Sequence, residues 1–105
     1  MDTDSLQVNF VKEVEYMEFE QPTTEQIQDI LKDITMYKVL SSNIFALGYS
    51  ERYQVLCVMF KNETRYMYFN VEPEVWQKLK VCDSKGSMLS ESVIKHKDKY
   101  KFIKL

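Results

Sequence analysis

Apolar and polar residues alternate along much of this chain, and the phase of the alternation changes often enough to divide it into short elements. Leu6, Val8 and Phe10 alternate, the phase shifts near Val11, and Met17 and Phe19 alternate with glutamates, which predicts one long bulged strand or two short ones. In "QPTTEQIQDILKDI", Thr23 is an N-cap with Gln26 three residues on, and Ile27, Ile30, Leu31 and Ile34 recur at helical spacing. A helix from about Thr24 to Asp33 follows, with Glu25, Gln28, Asp29 and Lys32 on its water side. "MYKVL" reads as a short strand, "SSN" as a turn, and "IFALGYS" as a second strand in which Gly48 marks a bulge or turn. Val55 to Phe60 is apolar on both faces, the mark of a central strand covered on each side. "KNET" makes a tight hairpin into "RYMYFNV", where strict alternation puts Tyr66, Tyr68 and Asn70 on one face and Met67, Phe69 and Val71 on the other. Pro73 in a first turn, with Val75, Trp76 and Leu79 behind it, predicts a helix over 73–82. A turn at Ser84 to Gly86 precedes a short helix carrying Met88, Leu89 and Val93, and "KYKFIKL" closes the chain as a strand with Tyr100 and Phe102 on one face. The fold class is α+β, a small antiparallel β-sheet with two to three short helices packed on it.

At 105 residues, 45% of them hydrophobic, the chain builds one domain over 1–105, with residues 1–40 as an acidic strand-plus-helix extension. Two cysteines, and an acidic start without an apolar h-region, predict free thiols and a cytoplasmic location. No apolar run is long enough to span a bilayer, so no membrane partner is expected. The net charge of −2 conceals two blocks. Residues 1–33 carry nine acids against Lys12 and Lys32, a balance of −7, while residues 34–105 carry twelve basic residues against seven acids, a balance of +5. Glu13 to Glu20 and Lys95 to Lys101 each read as the solvent face of a strand whose other face is apolar, which predicts that the two blocks lie on separate sides.

The tyrosine face raises the first functional question. Two aromatics on one face of a strand can stack unpaired bases, or can be covered by a helix with their hydroxyls bonded inside. Lys95, Lys97, Lys99 and Lys101 recur at period two, so an extended chain would align four ammonium groups along a phosphate backbone or simply solvate an edge strand. Glu13, Glu15, Glu18 and Glu20 form either a solvated strand face or a phosphate mimic for a basic groove on another protein. Catalysis has little basis: His96 is the only histidine, and neither a Gly-rich phosphate loop nor a nucleophile elbow is present. Cys57 and Cys82 lack the paired spacing of a zinc site, so no metal or cofactor is expected, and mid-strand Cys57 reads as core. Arg52 and Arg65 are the only arginines, too few for dedicated base readout.

From Ser41 onward the order of motifs resembles the KTSC domain, a module named for its occurrence at the C-terminus of some lysyl-tRNA synthetases and also found alone in small bacterial and phage proteins. The resemblance rests on Ser41, Ser42 and Ile44, then Gly48 and Tyr49, Tyr66 and Tyr68, Val71 with Pro73, and Ser84 with Gly86, and it covers about residues 41–105. The chain departs from the pattern where Glu63 or Thr64 replaces a hairpin glycine, where Glu72 shifts the proline by one place, and where Met88 and Leu89 replace an aromatic pair. The resemblance implies RNA binding. The expected function is therefore a non-catalytic module that takes RNA, single-stranded nucleic acid or a nucleotide through Tyr49, Tyr66, Tyr68 and the lysines at 95, 97, 99 and 101. The second expectation is a phage or mobile-element protein that inhibits a host defence protein through Glu13, Glu15, Glu18 and Glu20.

Overall fold

A computed structural model describes residues 21–105. In chain order the elements are α1 (Thr24–Lys32), β1 (Tyr37–Lys38), β2 (Ile44–Ser50), β3 (Val55–Phe60), β4 (Arg65–Tyr68), α2 (Pro73–Val81), α3 (Lys85–Leu89) running into a π-helix (Ser90–Ile94), and β5 (Phe102–Lys104). The strands form one sheet in the order β1-β2-β3-β4-β5, every neighbouring pair antiparallel. The alternating stretch from Leu6 to Phe19 lies outside the described residues.

The apolar sequence of β3 dictates the layering. Leu56 and Val58 point to one face, where Leu47, Tyr68, Val71, Leu79, Leu89, Val93 and Tyr100 join them, so α2, α3 and the π-helix cover that side. Val55 and Cys57 point to the other, against Met67 and Ile30, with Ile27, Leu31, Ile34 and Met36 from α1 and its exit segment closing over them. The two predicted helices thus pack on opposite faces of the sheet. Helix α1 starts as its sequence predicts: the Thr23 hydroxyl accepts from the Gln26 N–H at 3.1 Å and Gln26 Oε1 accepts from the Thr23 N–H at 2.8 Å, a complete capping box. Helix α2 begins at Pro73, and its C-terminal carbonyls are met by the Lys85 ammonium, which donates to Leu79, Lys80 and Cys82 at 2.8–3.0 Å.

Four expectations are corrected. Gly48 is neither bulge nor turn: it pairs with Cys57 inside β2, and the register shift falls between Ile44 and Ala46. Its hydrogen instead lets the segment after α1 press on the sheet, since a Cβ there would meet Ile34 Cγ2 at 2.5 Å, Met36 Sδ at 2.7 Å and the Thr35 carbonyl at 2.8 Å. The alternation of "RYMYFNV" stops at Asn70, whose φ of 60° turns the chain, so Val71 is buried in the same layer as Tyr68 rather than opposite it. Ser84 to Gly86 is not a turn before the helix, because α3 already starts at Lys85. The four lysines do not share a strand: Lys95 caps the π-helix, Lys97 and Lys99 sit in turns closed by the bonds of Lys99 and Tyr100 N–H to the His96 carbonyl, and β5 begins only at Phe102.

Gly48→Ala is expected to lower stability by about 1–3 kcal/mol, since the added methyl meets backbone as well as side chain. Urea unfolding at unchanged m-value measures it; a loss within about 0.5 kcal/mol would show that the close approach is not what fixes this residue.

Candidate functional site

Most of the tyrosine face is occupied. The Tyr49 ring stacks on Trp76 of α2, centroids 5.6 Å apart and planes 17° from parallel, and its hydroxyl donates to the Val71 carbonyl. Burial, reinforced by the carboxylates of Glu51, Glu72 and Glu74, pushes the Tyr49 hydroxyl up to about 12. Beside it, buried Tyr100 donates to Glu72 Oε1 at 2.6 Å while the Lys99 ammonium lies 2.9 Å from Oε2. The Tyr100 hydroxyl first, and Lys99 second, hold the Glu72 carboxyl down at about 2. Glu72 is the N-cap residue of α2 but its side chain makes no capping bond. It ties the start of α2 to the segment before β5 instead.

Beyond the π-helix the cover ends, and a cleft of about 550 Å³ opens over the last part of the face. Its floor is Phe60, Tyr66, Tyr68 and Phe102, drawn from three adjacent strands because Val58 pairs with Tyr66 and Tyr68 with Phe102. The rings contact one another: Tyr66 lies 5.9 Å from Phe60 at 79° and 5.9 Å from Phe102 at 64°. Tyr68 is 6% exposed, and burial raises the pKa of its hydroxyl; Tyr66 is half-buried and Phe102 is 42% exposed. Ser42, Asn43, Lys61, Asn62 and Thr64 line the end formed by the β2 entry and the β3–β4 hairpin, and Ile94 and Lys97 line the helical side. The hairpin end is shaped by Asn62, whose Oδ1 accepts from the Thr64 N–H and hydroxyl, and by Glu63 with a φ of 74°. Among the described residues, every charged residue lining the cleft is a lysine. Lys61 and Lys97 have no ion-pair partner among the described residues, whereas Lys95 is held 2.8 Å from Glu91 and Lys99 by Glu72.

Of the residues singled out in the sequence, the cleft therefore gathers Tyr66, Tyr68 and Lys97. Tyr49 is a packing residue, Lys95 and Lys99 are engaged in ion pairs, and Lys101 precedes β5 without lining the cleft. Glu13, Glu15, Glu18 and Glu20 lie outside the described residues, as does any pairing of the acidic block with the lysines. Sequence reasoning missed Phe60, Phe102 and Lys61. Only the expected strand around Phe102 hinted at a third aromatic, and its register against Tyr68 carries no local signal. Cys57 is buried, which raises its thiol pKa, and Cys82 lies elsewhere. Among the described residues no three His, Cys, Asp or Glu side chains converge on a metal position, and no helix is long and apolar enough to cross a membrane.

A family model described as the KTSC domain matches residues 40–100. The chain belongs to the KTSC domain family. A KTSC domain protein of Yersinia pestis, known from a crystal structure, superimposes with a TM-score of 0.61 at 28% identity, covering 69% of this chain and 97% of that one. A protein of Tsukamurella paurometabola is 36% identical over 55 residues, 52% of this chain and 82% of its own. The serine and glycine positions of the KTSC pattern have a packing reason here. The Ser41 hydroxyl accepts from the N–H groups of Asn43 and Ile44 to form the turn into β2, and α3 rests on that turn at Gly86, where a Cβ would lie 2.9 Å from Asn43 Oδ1.

The Glu72 carboxyl is held below its ordinary 4.5, so its contribution is fully present above that value and fades as pH falls through about 2. Glu72→Gln should cost about 1 kcal/mol at pH 7, the size of a charge-assisted bond discounted for its partial exposure. Stability measured against pH should show the two proteins converging between about 4.5 and 2. A gap that stays constant with pH would contradict an electrostatic role.

Proposed function

We propose that this KTSC domain is a non-catalytic binding module for unpaired nucleic acid, RNA included, or for a nucleotide, and that the cleft over Tyr66 is its site. The observation that carries the proposal is the combination of an aromatic floor with a rim whose only charges among the described residues are Lys61 and Lys97, neither of which has an ion-pair partner among those residues. Flat rings offer stacking to any base, and lysines offer attraction to phosphate without geometric demands. The volume lies within the range of about 300–1,000 Å³ that small-ligand clefts occupy. No arginine lines the cleft, so recognition through stacking and charge, tolerant of base identity, is the expected mode. Tyr49, Lys95 and Lys99 have no part in it, because each is committed to a contact within the fold.

Titration of a labelled single strand at low salt tests the proposal. Tyr66→Leu and Lys97→Glu should each weaken binding by about tenfold, within the range that loss of one stacked base or one phosphate contact produces, while Lys78→Ala, at an exposed position of α2 outside the cleft lining, leaves it unchanged. Thermal unfolding of the same variants checks that the fold is retained. Failure of the native protein to bind at low salt, or full binding by folded Tyr66→Leu and Lys97→Glu proteins, would overturn the proposal.

A further inference from the structure

We infer that the cleft accepts one nucleotide unit, a base carrying a single phosphate, rather than a run of consecutive stacked bases. The inference rests on the nucleotide reading above and narrows it. A sheet that binds several bases presents ring faces side by side so that each base lies flat on its own platform. Phe60, Tyr66 and Phe102 lie on a diagonal across β3, β4 and β5, since Tyr66 pairs with Val58 and Lys104 and each of the other two rings stands two residues from those partners, on opposite sides. Their planes are turned instead: 79° between Phe60 and Tyr66 and 64° between Tyr66 and Phe102, so each ring sets its edge against its neighbour's face. Tyr68, tilted by 32° to Tyr66 and 39° to Phe102, is buried beneath them. A floor folded on itself in this way has room for one base against its most open ring, Phe102, beside Tyr66. A second base would have to break the edge-to-face contacts.

The charges agree with the rings. Lys61 enters from the hairpin and Lys97 from the turn after the π-helix, and neither has an ion-pair partner among the described residues. Two ammonium groups at one cleft match the charge of a terminal phosphate, about −1.5 to −2 at neutral pH. Of the tail's other lysines, Lys95 and Lys99 are bound to Glu91 and Glu72, and Lys101 and Lys104 do not line the cleft, although Lys104 pairs across the strands with Tyr66. The same chemistry could come from a free nucleoside monophosphate or from one unpaired, phosphate-bearing residue of a strand.

Calorimetric titration of the full chain with a nucleoside monophosphate and with single strands of two, four and eight residues separates these cases. Affinity should stay within about threefold from the strand of two residues to that of eight, because no second stacking site or phosphate track rewards length. The octanucleotide's affinity should fall with salt at a log–log slope of about −0.7, the value for one phosphate contact on a single strand. Lys97→Glu should weaken the monophosphate and the octanucleotide by the same factor. Tight binding of the strands with none of the free monophosphate would assign the unit to a strand, and equal binding would assign it to the nucleotide itself. A rise of more than about tenfold between two and eight residues with a steepening salt slope would overturn the single-unit inference and leave nucleic-acid binding standing. Absence of binding by every member of the series would remove both.

Discussion

The burial of β3 on both of its faces is the constraint from which the rest of the structure follows. Val55, Leu56, Cys57 and Val58 leave at most 2% of their surface exposed, and side chains of this kind alternate across the sheet. A strand apolar on both sides needs two separate covers. Helix α1 supplies one and the long connection from β4 to β5 supplies the other, so the sheet is the middle layer between them. Each cover then imposes its own local requirement. Gly48 must lack a side chain for the α1 exit segment to reach the sheet, and Gly86 must lack one for α3 to settle on the Ser41 turn.

The open site is a consequence of how the second cover runs. Helix α2 lies over the end of the face near Tyr49 and Trp76, and the chain returns through α3 and the π-helix before β5 completes the sheet. Glu72 fixes this course by binding Tyr100 and Lys99 at once, which brings the two ends of the connection together. The π-helix then leaves Ile94 and Lys97 standing over the far end without filling it. A π-turn widens the helix by one residue and is often found beside functional sites. The aromatic residues that β3, β4 and β5 contribute to that end are therefore packed well enough to be held in place and uncovered enough to meet a ligand.

Local signals in the sequence account for much of this. Thr23 and Gln26 announced the start of α1 because a capping box is complete within four residues, and Pro73 announced α2 for a similarly local reason. The doubly apolar run of β3 announced the sheet's centre. What failed were inferences that carried a local period past the point where the backbone changes conformation. Lysines spaced two apart line up only on an extended chain, and after Ile94 the chain turns on the His96 carbonyl. Val71 sits two positions beyond Phe69 but a left-handed Asn70 stands between them. The cleft was half legible: Tyr66 and Tyr68 share a strand, whereas Phe60, Phe102, Lys61 and Lys97 meet them only through strand register and the path of the connection. The KTSC resemblance identified the fold but only Tyr66 and Tyr68 of this group, since several of its other positions, Ser41, Gly48, Tyr49 and Gly86, serve packing.

The central claim, that the uncovered end of the aromatic face is where a ligand meets this protein, is tested most directly by following the backbone amide resonances of the full chain during addition of a nucleoside monophosphate. The largest shifts should cluster at Lys61, Asn62, Tyr66, Lys97 and Phe102, with little change at Trp76 or along α1. Shifts centred on the smaller apolar cleft between Tyr37, Val39 and Trp76, or on α1, would contradict it.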